Sequence, residues 1–232
     1  MEILGIGAEA ILVKTKFYDF EVVRKTRVRK AYRDATLDSR IRSKRTILEA
    51  KLLAYSKCIG VPVPTVLYVD AHNATIIIDY IKGKKLRDML DKLPESDLRK
   101  IFHVIGREVG LLHRAGIVHG DLTTSNMIVS GGKVFLIDFG LGYFSKELED
   151  RAVDIHLFLR ALESTHPNHV KVAFDSFVGG YREIMGEYVD SVLNRVKEIR
   201  LRGRYVGERR KRKYKEQSFY KSQQNCEEKV GM

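Results

Sequence analysis

Three side chains in the second half of the sequence have the types and the spacing that phosphoryl transfer needs. Asp121 and Asn126 lie five residues apart in HGDLTTSNMIV (119–129), and Asp138 follows twelve residues later in IDFG. Transfer of a phosphoryl group requires an acceptor for the proton of the nucleophile and oxygen ligands for Mg²⁺. Asp121 suits the first task, and Asn126 and Asp138 suit the second. Each residue alone is compatible with a capped turn, but the combination between apolar strands favours a catalytic site.

The same chemistry requires a cation on the phosphates and a carboxylate that holds this cation. Lys25 in EVVRKTRV stands on a predicted strand, and Glu49 in RTILEA stands on the helix that follows. Arg24 and Arg27 are competing candidates for the cation. Because side chains alternate along a strand, Lys25 shares a face with Arg27 and points away from Arg24. We predict Lys25 and Glu49 as the phosphate-contacting pair.

The segments that would contact a nucleotide are less well marked. LGIGAEAILVK contains Gly5 and Gly7 but no G-x-G-x-x-G pattern, so fewer glycines let backbone amides approach the phosphates. We predict a shortened phosphate lid that consists of Gly5, Gly7, Ala8, Glu9 and Ala10. In IIIDYIKG, the backbone around Asp79 and Ile81 is the predicted hinge that would bind adenine.

The elements that must position these residues follow from the spacing of apolar side chains. Alternation predicts strands over 3–17 and 19–28, joined by a turn, and again over 61–70 and 74–81. A long helical pattern separates the two pairs. These elements predict a small sheet with one inserted helix.

Two long helices are predicted from their apolar stripes. The first has Thr36 or Asp38 as its N-cap and ends at Gly60, with a stripe formed by Leu37, Ile41, Leu48, Leu52 and Tyr55. The second is capped by Ser96 and ends near Gly116, with a stripe formed by Leu98, Ile101, Phe102, Ile105, Val109 and Leu112. Short strands around the 119–138 region and helical patterns over about 150–163 and 170–200 complete the predicted fold.

The net charge of +12 is concentrated in two segments. Residues 24–51 hold 11 Lys/Arg against 3 Asp/Glu, and residues 197–215 hold 10 against 2, whereas the rest of the chain is mildly acidic. Clustered basic residues favour a polyanion such as RNA, because phosphate binding releases counterions. A solvated helix face or a frayed tail explains either segment alone equally well. The predicted tRNA- or partner-contacting residues are Arg200, Arg202, Arg204, Arg209, Arg210 and Lys211.

Composition bounds the remaining possibilities. The 232 residues, 44% of them hydrophobic, suffice for one large domain or two small lobes. No stretch reaches 18 consecutive apolar residues and no basic leader precedes the first apolar run, so we expect neither a membrane span nor a signal peptide. Cys58 and Cys226 cannot form a disulfide framework, and we therefore expect a cytoplasmic protein.

Taken together, the motifs resemble the protein-kinase-like superfamily and, within it, one small branch. RTILEA, HGDLTTSNMI, IDFGLG, EDRAVDIHLFLRA and IRLRGRYVGER are similar to the atypical kinase/ATPase subunits of the KEOPS (EKC) complex, over nearly the whole chain to about residue 210. The resemblance implies an α+β, compact bilobal protein-kinase-like fold. We expect a small β-sheet N-lobe with one long helix over 1–82, a reduced helical C-lobe over 83–202, and a basic flexible tail over 203–232.

The resemblance also implies a function. It implies Mg-ATP as cofactor, with Mg²⁺ on Asn126 and Asp138, and an ATPase or kinase activity on serine or threonine. It implies work in the KEOPS assembly that makes threonylcarbamoyladenosine in tRNA. The expected partners are the tRNA-modifying subunit, the other KEOPS subunits and tRNA.

Two features of the sequence fit this branch independently. Protein kinases usually carry an arginine before the catalytic aspartate, where it reads a phosphorylated activation loop, and Gly120 occupies that position here. Asp154, which resembles the buried helix aspartate that braces the catalytic loop, lies only 16 positions after Asp138, and no A-P-E occurs between them. We therefore expect neither a phosphorylation switch nor a peptide-docking platform.

Three alternatives stay open. Small-molecule phosphotransferases of the aminoglycoside or choline kinase type also favour H-G-D, but only 94 residues follow Asp138 to build an acceptor pocket. A RIO-type kinase would lack the Phe and Gly of IDFG. A pseudokinase scaffold that binds tRNA and partners is disfavoured by the complete set of Lys25, Glu49, Asp121, Asn126 and Asp138.

Overall fold

The amino-terminal part of the chain forms an antiparallel sheet. The computed structural model describes residues 1–202. Its five-stranded sheet has the order β1-β2-β3-β5-β4 and consists of β1 (Glu2–Ile6), β2 (Ala10–Phe17), β3 (Phe20–Arg27), β4 (Val66–Asp70) and β5 (Thr75–Asp79). The strand predicted over 3–17 is divided in two, because the chain turns between Gly7 and Ala10, where the Gly7 N–H donates to the Ala10 carbonyl at 2.9 Å. Because β3 is the central strand, its inward side chains are flanked on both sides.

One long helix, α1 (Ala35–Cys58), is inserted between β3 and β4. Its N-cap is Asp34, whose carboxylate accepts hydrogen bonds from the N–H groups of Thr36 and Leu37 at 3.0 Å each. The predicted caps Thr36 and Asp38 are wrong, because Asp38 is buried and instead accepts from Arg42 Nε at 2.7 Å. Gly60 follows the helix with a φ of 87°, a left-handed conformation that glycine adopts without strain.

The apolar stripe predicted for α1 faces the core only in part: Leu52 is buried in the core and Leu48 packs against it. Leu37 and Tyr55 are 52% and 58% exposed. The buried face is half polar and consists of Asp38, Thr46, Glu49, Ala50, Leu52, Leu53 and Ser56. Apolar periodicity was misleading here because this helix delivers polar groups to the interior.

The rest of the described chain is mostly helical, so the α+β prediction is confirmed. After β6 (Lys84–Lys85) and α2 (Leu86–Met89), the long helix α3 (Glu95–Arg114) precedes the short strands β7 (Ile117–Val118), β8 (Met127–Ser130), β9 (Lys133–Leu136) and β10 (Tyr143–Phe144). The helices α4 (Leu148–Thr165), α5 (Val170–Met185) and α6 (188–202) follow. The predicted cap Ser96 is wrong, because Pro94 precedes α3 and Ser96 lies within its first turn.

The core of this helical part is centred on α3. Its predicted stripe is confirmed: Ile101 is partly buried, and Leu98, Phe102, Ile105, Val109 and Leu112 are buried. The pattern over 170–200 is two helices, separated at Gly186, which has a φ of 60°. Among the helices of residues 1–202, none has the length and hydropathy needed to cross a membrane. The division at residues 82 and 83 stays a prediction.

The backbones of α3 and α5 are in direct contact. A Cβ atom on Gly106 would lie 2.0 Å from the carbonyl oxygen of Phe177, and one on Gly180 would lie 1.9 Å from that of His103. Real Cβ atoms do not approach so closely, so both positions require glycine. This contact fixes α3, which leads into the 119–138 region.

Candidate active site

Three of the predicted residues meet beside a cleft. The Lys25 ammonium donates to Glu49 Oε1 at 2.6 Å and to Asp138 Oδ1 at 2.7 Å. Lys25 and Glu49 are buried, whereas the Asp138 side chain is 44% exposed. The central strand, α1 and the segment after β9 therefore deliver one charged cluster.

The charges in this cluster stabilise one another. Burial works to lower the pKa of Lys25, but the carboxylates of Glu49 and Asp138 outweigh it and hold this pKa above its ordinary value. Burial likewise works to raise the pKa of Asp138, but the ammonium of Lys25 outweighs it and keeps this pKa low. Lys25 is therefore cationic and Asp138 anionic at neutral pH.

The two arginines that compete with Lys25 lie on opposite faces of β3, as the strand alternation predicts. Arg24 is exposed on the opposite face, whereas Arg27 is buried with Lys25. The Nη2 atom of Arg27 donates to Glu49 Oε2 at 2.6 Å, so each oxygen of this carboxylate has its own cation. The sequence analysis predicted Arg27 only as an alternative to Lys25. The two-residue spacing between the two residues was the signal that both side chains point inward.

The loop over 119–126 brings Asp121 and Asn126 together. The Asn126 side-chain amide donates from Nδ2 to Asp121 Oδ2 at 2.8 Å and to the Asp121 carbonyl at 2.9 Å. The Ile137 N–H donates to the Asn126 carbonyl at 2.9 Å, which ties the loop to the residue before Asp138. The predicted base and the two predicted metal ligands thus belong to one hydrogen-bonded unit.

Asp154 on α4 holds this loop in place through hydrogen bonds to its backbone. It is buried and accepts hydrogen bonds from the N–H groups of His119 and Gly120 at 2.9 and 3.0 Å. His113 Nε2 lies 3.2 Å from the same carboxylate. Burial works to raise the pKa of Asp154, but the hydrogen bonds from His113 and from the loop outweigh it and hold this pKa low.

His119 connects the two halves of the site. Its Nε2 donates to the Ile137 carbonyl at 3.2 Å, and its Nδ1 accepts from the Asp121 N–H at 3.3 Å. Burial lowers the pKa of His119 below its ordinary value despite the neighbouring carboxylates. A neutral imidazole with one donor and one acceptor fits both contacts.

Gly120 has a structural reason to be glycine. Its φ is 79°, in the left-handed region, and a Cβ atom there would lie 2.3 Å from the Leu141 carbonyl oxygen. An arginine in this backbone conformation would therefore collide with the segment after Asp138. That segment is short: nine residues connect Asp138 to the start of α4 at Leu148, and β10 within it pairs with β7.

A cleft of about 280 Å³ lies beside the charged cluster. Its walls are largely apolar and include Leu4, Leu12, Val23, Leu53, Ile78, Ile128 and Ile137. Both predicted hinge residues, Asp79 and Ile81, line it. The Asp79 N–H donates to the Thr65 carbonyl at 3.0 Å, whereas the Ile81 N–H has no acceptor within residues 1–202 and is free to meet a ligand.

The predicted lid lies at the edge of this cleft. Leu4 and Leu12 line the wall, and the turn between them carries the lid residues. Glu9 pairs with Arg45 on α1 at 2.8 Å, and the Ala8 carbonyl accepts from Lys30. These contacts tie the lid to α1.

The predicted RNA-contacting residues divide between described and undescribed parts of the chain. Arg200 lies 2.5 Å from Glu163, and Arg202 lies 3.5 Å from Glu149, so both form ion pairs with α4. Arg204, Arg209, Arg210 and Lys211 lie outside the described residues.

The fold and this cleft define a protein kinase domain. The family model for that domain matches residues 2–175, so the chain belongs to the protein kinase family. A protein kinase domain is a phosphotransferase-type domain that uses a nucleotide.

More particular relatives assign the chain to the Bud32 branch of this family. It is 44% identical to the KEOPS complex subunit Bud32 of Pyrococcus abyssi over 88% of this chain and 96% of that protein. It is 37% identical to the EKC/KEOPS complex subunit bud32 of Dictyostelium discoideum, over 87% and 82% of the two chains. It is also 39% identical to a probable bifunctional tRNA threonylcarbamoyladenosine biosynthesis protein of Methanobrevibacter smithii, of which it spans 37%.

Proposed function

We propose that this chain is an atypical serine/threonine protein kinase and ATPase, which transfers the γ-phosphate of ATP to a Ser/Thr hydroxyl or to water. The observation that carries the proposal is the position of Lys25, which lines an apolar cleft and bridges Glu49 and Asp138. A lysine held by a helix carboxylate is the group that aligns ATP phosphates in protein kinases. In our proposal the free N–H of Ile81, which lines the same cleft, binds adenine.

We propose Asn126 and Asp138 as the residues that hold Mg²⁺. Because the side-chain amide of Asn126 donates to Asp121 from Nδ2, its side-chain oxygen, Oδ1, is left for a cation. Asp138 offers a partly exposed carboxylate, the ligand type that Mg²⁺ prefers. Two protein ligands are too few for this ion, so it would share phosphate oxygens and neutralise their developing charge.

Asp121 is the proposed acceptor for the proton of the nucleophile. Its Oδ2 atom is engaged by Asn126, which fixes the carboxylate and leaves Oδ1 to face a water or a hydroxyl. A positioned carboxylate of this kind orients the nucleophile in line with the γ-phosphate.

The proposed biological setting comes from the names of the relatives. We propose that the chain is a subunit of a KEOPS complex and acts in threonylcarbamoyladenosine modification of tRNA. Its proposed partners are the tRNA-modifying subunit, the other KEOPS subunits and tRNA, in the cytoplasm.

The decisive substitution is Asp138→Asn. We expect Mg-dependent ATP hydrolysis to fall by roughly 100-fold or more, because the amide replaces the anionic metal ligand. Asp175→Asn, the same change at an exposed residue of α5, serves as the control and should match the original protein. Full turnover by Asp138→Asn would contradict the assignment.

The proposed tRNA contacts need the assembled complex. ATP hydrolysis should be measured there with and without tRNA, and tRNA affinity by fluorescence anisotropy, for the full chain and for a chain that ends at Gly203. Arg204, Arg209, Arg210 and Lys211 are lost on truncation, so we expect weaker tRNA binding or altered ATP turnover. If neither quantity changes, these residues have no such role.

A further inference from the structure

Arg27 has no role in the proposed chemistry, although it is buried beside the site. It lies two residues after Lys25 on β3, and its side chain is 4% exposed. Its Nη2 atom lies 2.6 Å from Glu49 Oε2, and within residues 1–202 its guanidinium donates to no other acceptor. A buried charge is costly unless it is paired, so the contact with Glu49 offsets the cost of burying this guanidinium.

The two cations that bind Glu49 differ in the number of acceptors that they serve. Lys25 divides its donors between Glu49 Oε1 and Asp138 Oδ1, and in the proposed reaction it also contacts phosphate. Every additional acceptor weakens the hold of Lys25 on Glu49. Arg27 is directed at Glu49 alone, so it can hold this carboxylate while Lys25 serves other groups.

The contact matters because the usual means of fixing this helix is missing. In protein kinases the lysine–glutamate pair must be in place, and activation-loop phosphorylation controls it. Here nine residues connect Asp138 to α4, and Gly120 occupies the position of the phosphate-reading arginine. Some other interaction must therefore keep Glu49, and with it α1, directed inward.

We propose that Arg27 is a positioning residue that locks Glu49 and α1 in the phosphate-aligning arrangement without phosphorylation. The inference rests on the proposed ATP site and adds to it a built-in substitute for the activation switch. Arg27 is not itself a catalytic residue, because it acts through Glu49 on Lys25.

The test compares Arg27→Gln with Arg24→Gln. Both remove an arginine from β3, but Arg24 points to solvent on the opposite face. We expect kcat for Mg-ATP hydrolysis by Arg27→Gln to fall roughly 10- to 100-fold, because misplaced reacting groups cost about that much, with a smaller change in KM. Arg24→Gln should match the original protein. Equal kcat for the two variants overturns the proposal.

Two further variants separate positioning from a general loss of structure. Arg27→Lys keeps the buried charge and should retain more activity than Arg27→Gln; equal loss in both overturns a role through charge. In the Glu49→Gln background, Arg27→Gln should have little further effect on kcat, because its partner is already gone. Additive losses would mean that Arg27 acts on the phosphates directly, which also overturns the proposal.

The role of Arg27 and the ability to hydrolyse ATP can be tested separately. If the original protein in its complex does not hydrolyse ATP, the proposed function fails. Amide hydrogen exchange then decides the role of Arg27, because it needs no turnover. Exchange in α1 around Glu49 should be faster in Arg27→Gln than in Arg24→Gln, and equal exchange overturns the lock.

Discussion

Gly120 stands where protein kinases usually carry an arginine, and its backbone explains why. The residue has positive φ, donates its N–H to Asp154 and lies against the Leu141 carbonyl. The close approach of the loop and the segment after Asp138 therefore requires glycine. Loss of the arginine removes a sensor of phosphorylation, whereas Asp121 and Asn126 keep their geometry.

We predict that the single substitution Gly120→Ala destabilises the protein. The Cβ atom must move the Leu141 carbonyl or strain the backbone, at a cost of roughly 2 kcal/mol in the free energy of unfolding. Gly131→Ala is the matched control, because its φ is also positive but no atom lies within 4 Å of the added Cβ. Urea unfolding of the two variants checks this, and equal losses would show that the contact with Leu141 is unimportant.

The residues of the site were largely predictable from sequence, but their contacts were not. Lys25, Asp121 and Asp138 stand in motifs whose spacing reflects fixed chemistry, so the motifs alone were enough to single them out as candidates. The second partner of Glu49 could not be predicted, because strand alternation gives the face of Arg27 but not the distance to α1. The same holds for Thr65, which binds Asp79 through its backbone and had no sequence signal.

The two long helices show why periodicity succeeded once and failed once. α3 packs an apolar stripe into the helical core, so its pattern predicted its buried face. α1 buries Asp38, Thr46 and Glu49 and exposes Leu37. Glu49 binds two cations of β3, whereas Asp38 and Thr46 make hydrogen bonds with Arg42 of α1 itself. An element that serves a site need not obey the rule for an element that only packs.

Adjacent glycines on α5 give a test at the scale of elements. Gly180→Ala should lower the free energy of unfolding by roughly 3 kcal/mol, because its Cβ would lie 1.9 Å from the His103 carbonyl and push α3 and α5 apart. Gly179→Ala should be neutral or stabilising by up to about 1 kcal/mol, since its nearest neighbour is 3.5 Å away and alanine favours helices. Thermal unfolding distinguishes them; similar midpoints would contradict the backbone contact.

The positive charge of the basic segment 24–51 is less available to a polyanion than the sequence indicates. Within the basic segment 24–51, Lys25 and Arg27 are buried on Glu49, and Arg42 and Arg45 pair with Asp38 and Glu9. The total charge could be read from composition, but its pairing depends on contacts between distant parts of the chain. Exposed residues such as Arg40 and Lys44 carry the charge that remains for a partner.

One buried acid makes the stability of the whole molecule depend on pH. Burial raises the pKa of Glu108 on α3 from 4.5 to about 8, and its Oε2 has no hydrogen-bond partner within residues 1–202. The folded protein therefore keeps a proton that the unfolded chain loses above pH 4.5. Its contribution to stability is complete below pH 4.5 and is lost as pH rises towards 8.

We predict that Glu108→Gln removes this dependence. The variant should gain roughly 3 kcal/mol of stability relative to the original protein as pH rises from 5 to 8, because glutamine has no proton to keep. Urea unfolding at several pH values measures the difference, with Glu187→Gln on the surface as control. A difference that is constant across this range would show that Glu108 does not titrate as stated.

The backbone of Asp138 has a consequence for the evolution of the protein. Its φ of 63° is a conformation that glycine adopts freely and that costs other residues roughly 1 kcal/mol or more. Glycine would relieve this strain, but it would also remove one of the two carboxylates that hold the buried ammonium of Lys25. The ion pair that this carboxylate forms therefore offsets the backbone strain of the same residue, so durability and activity favour the same side chain at this position.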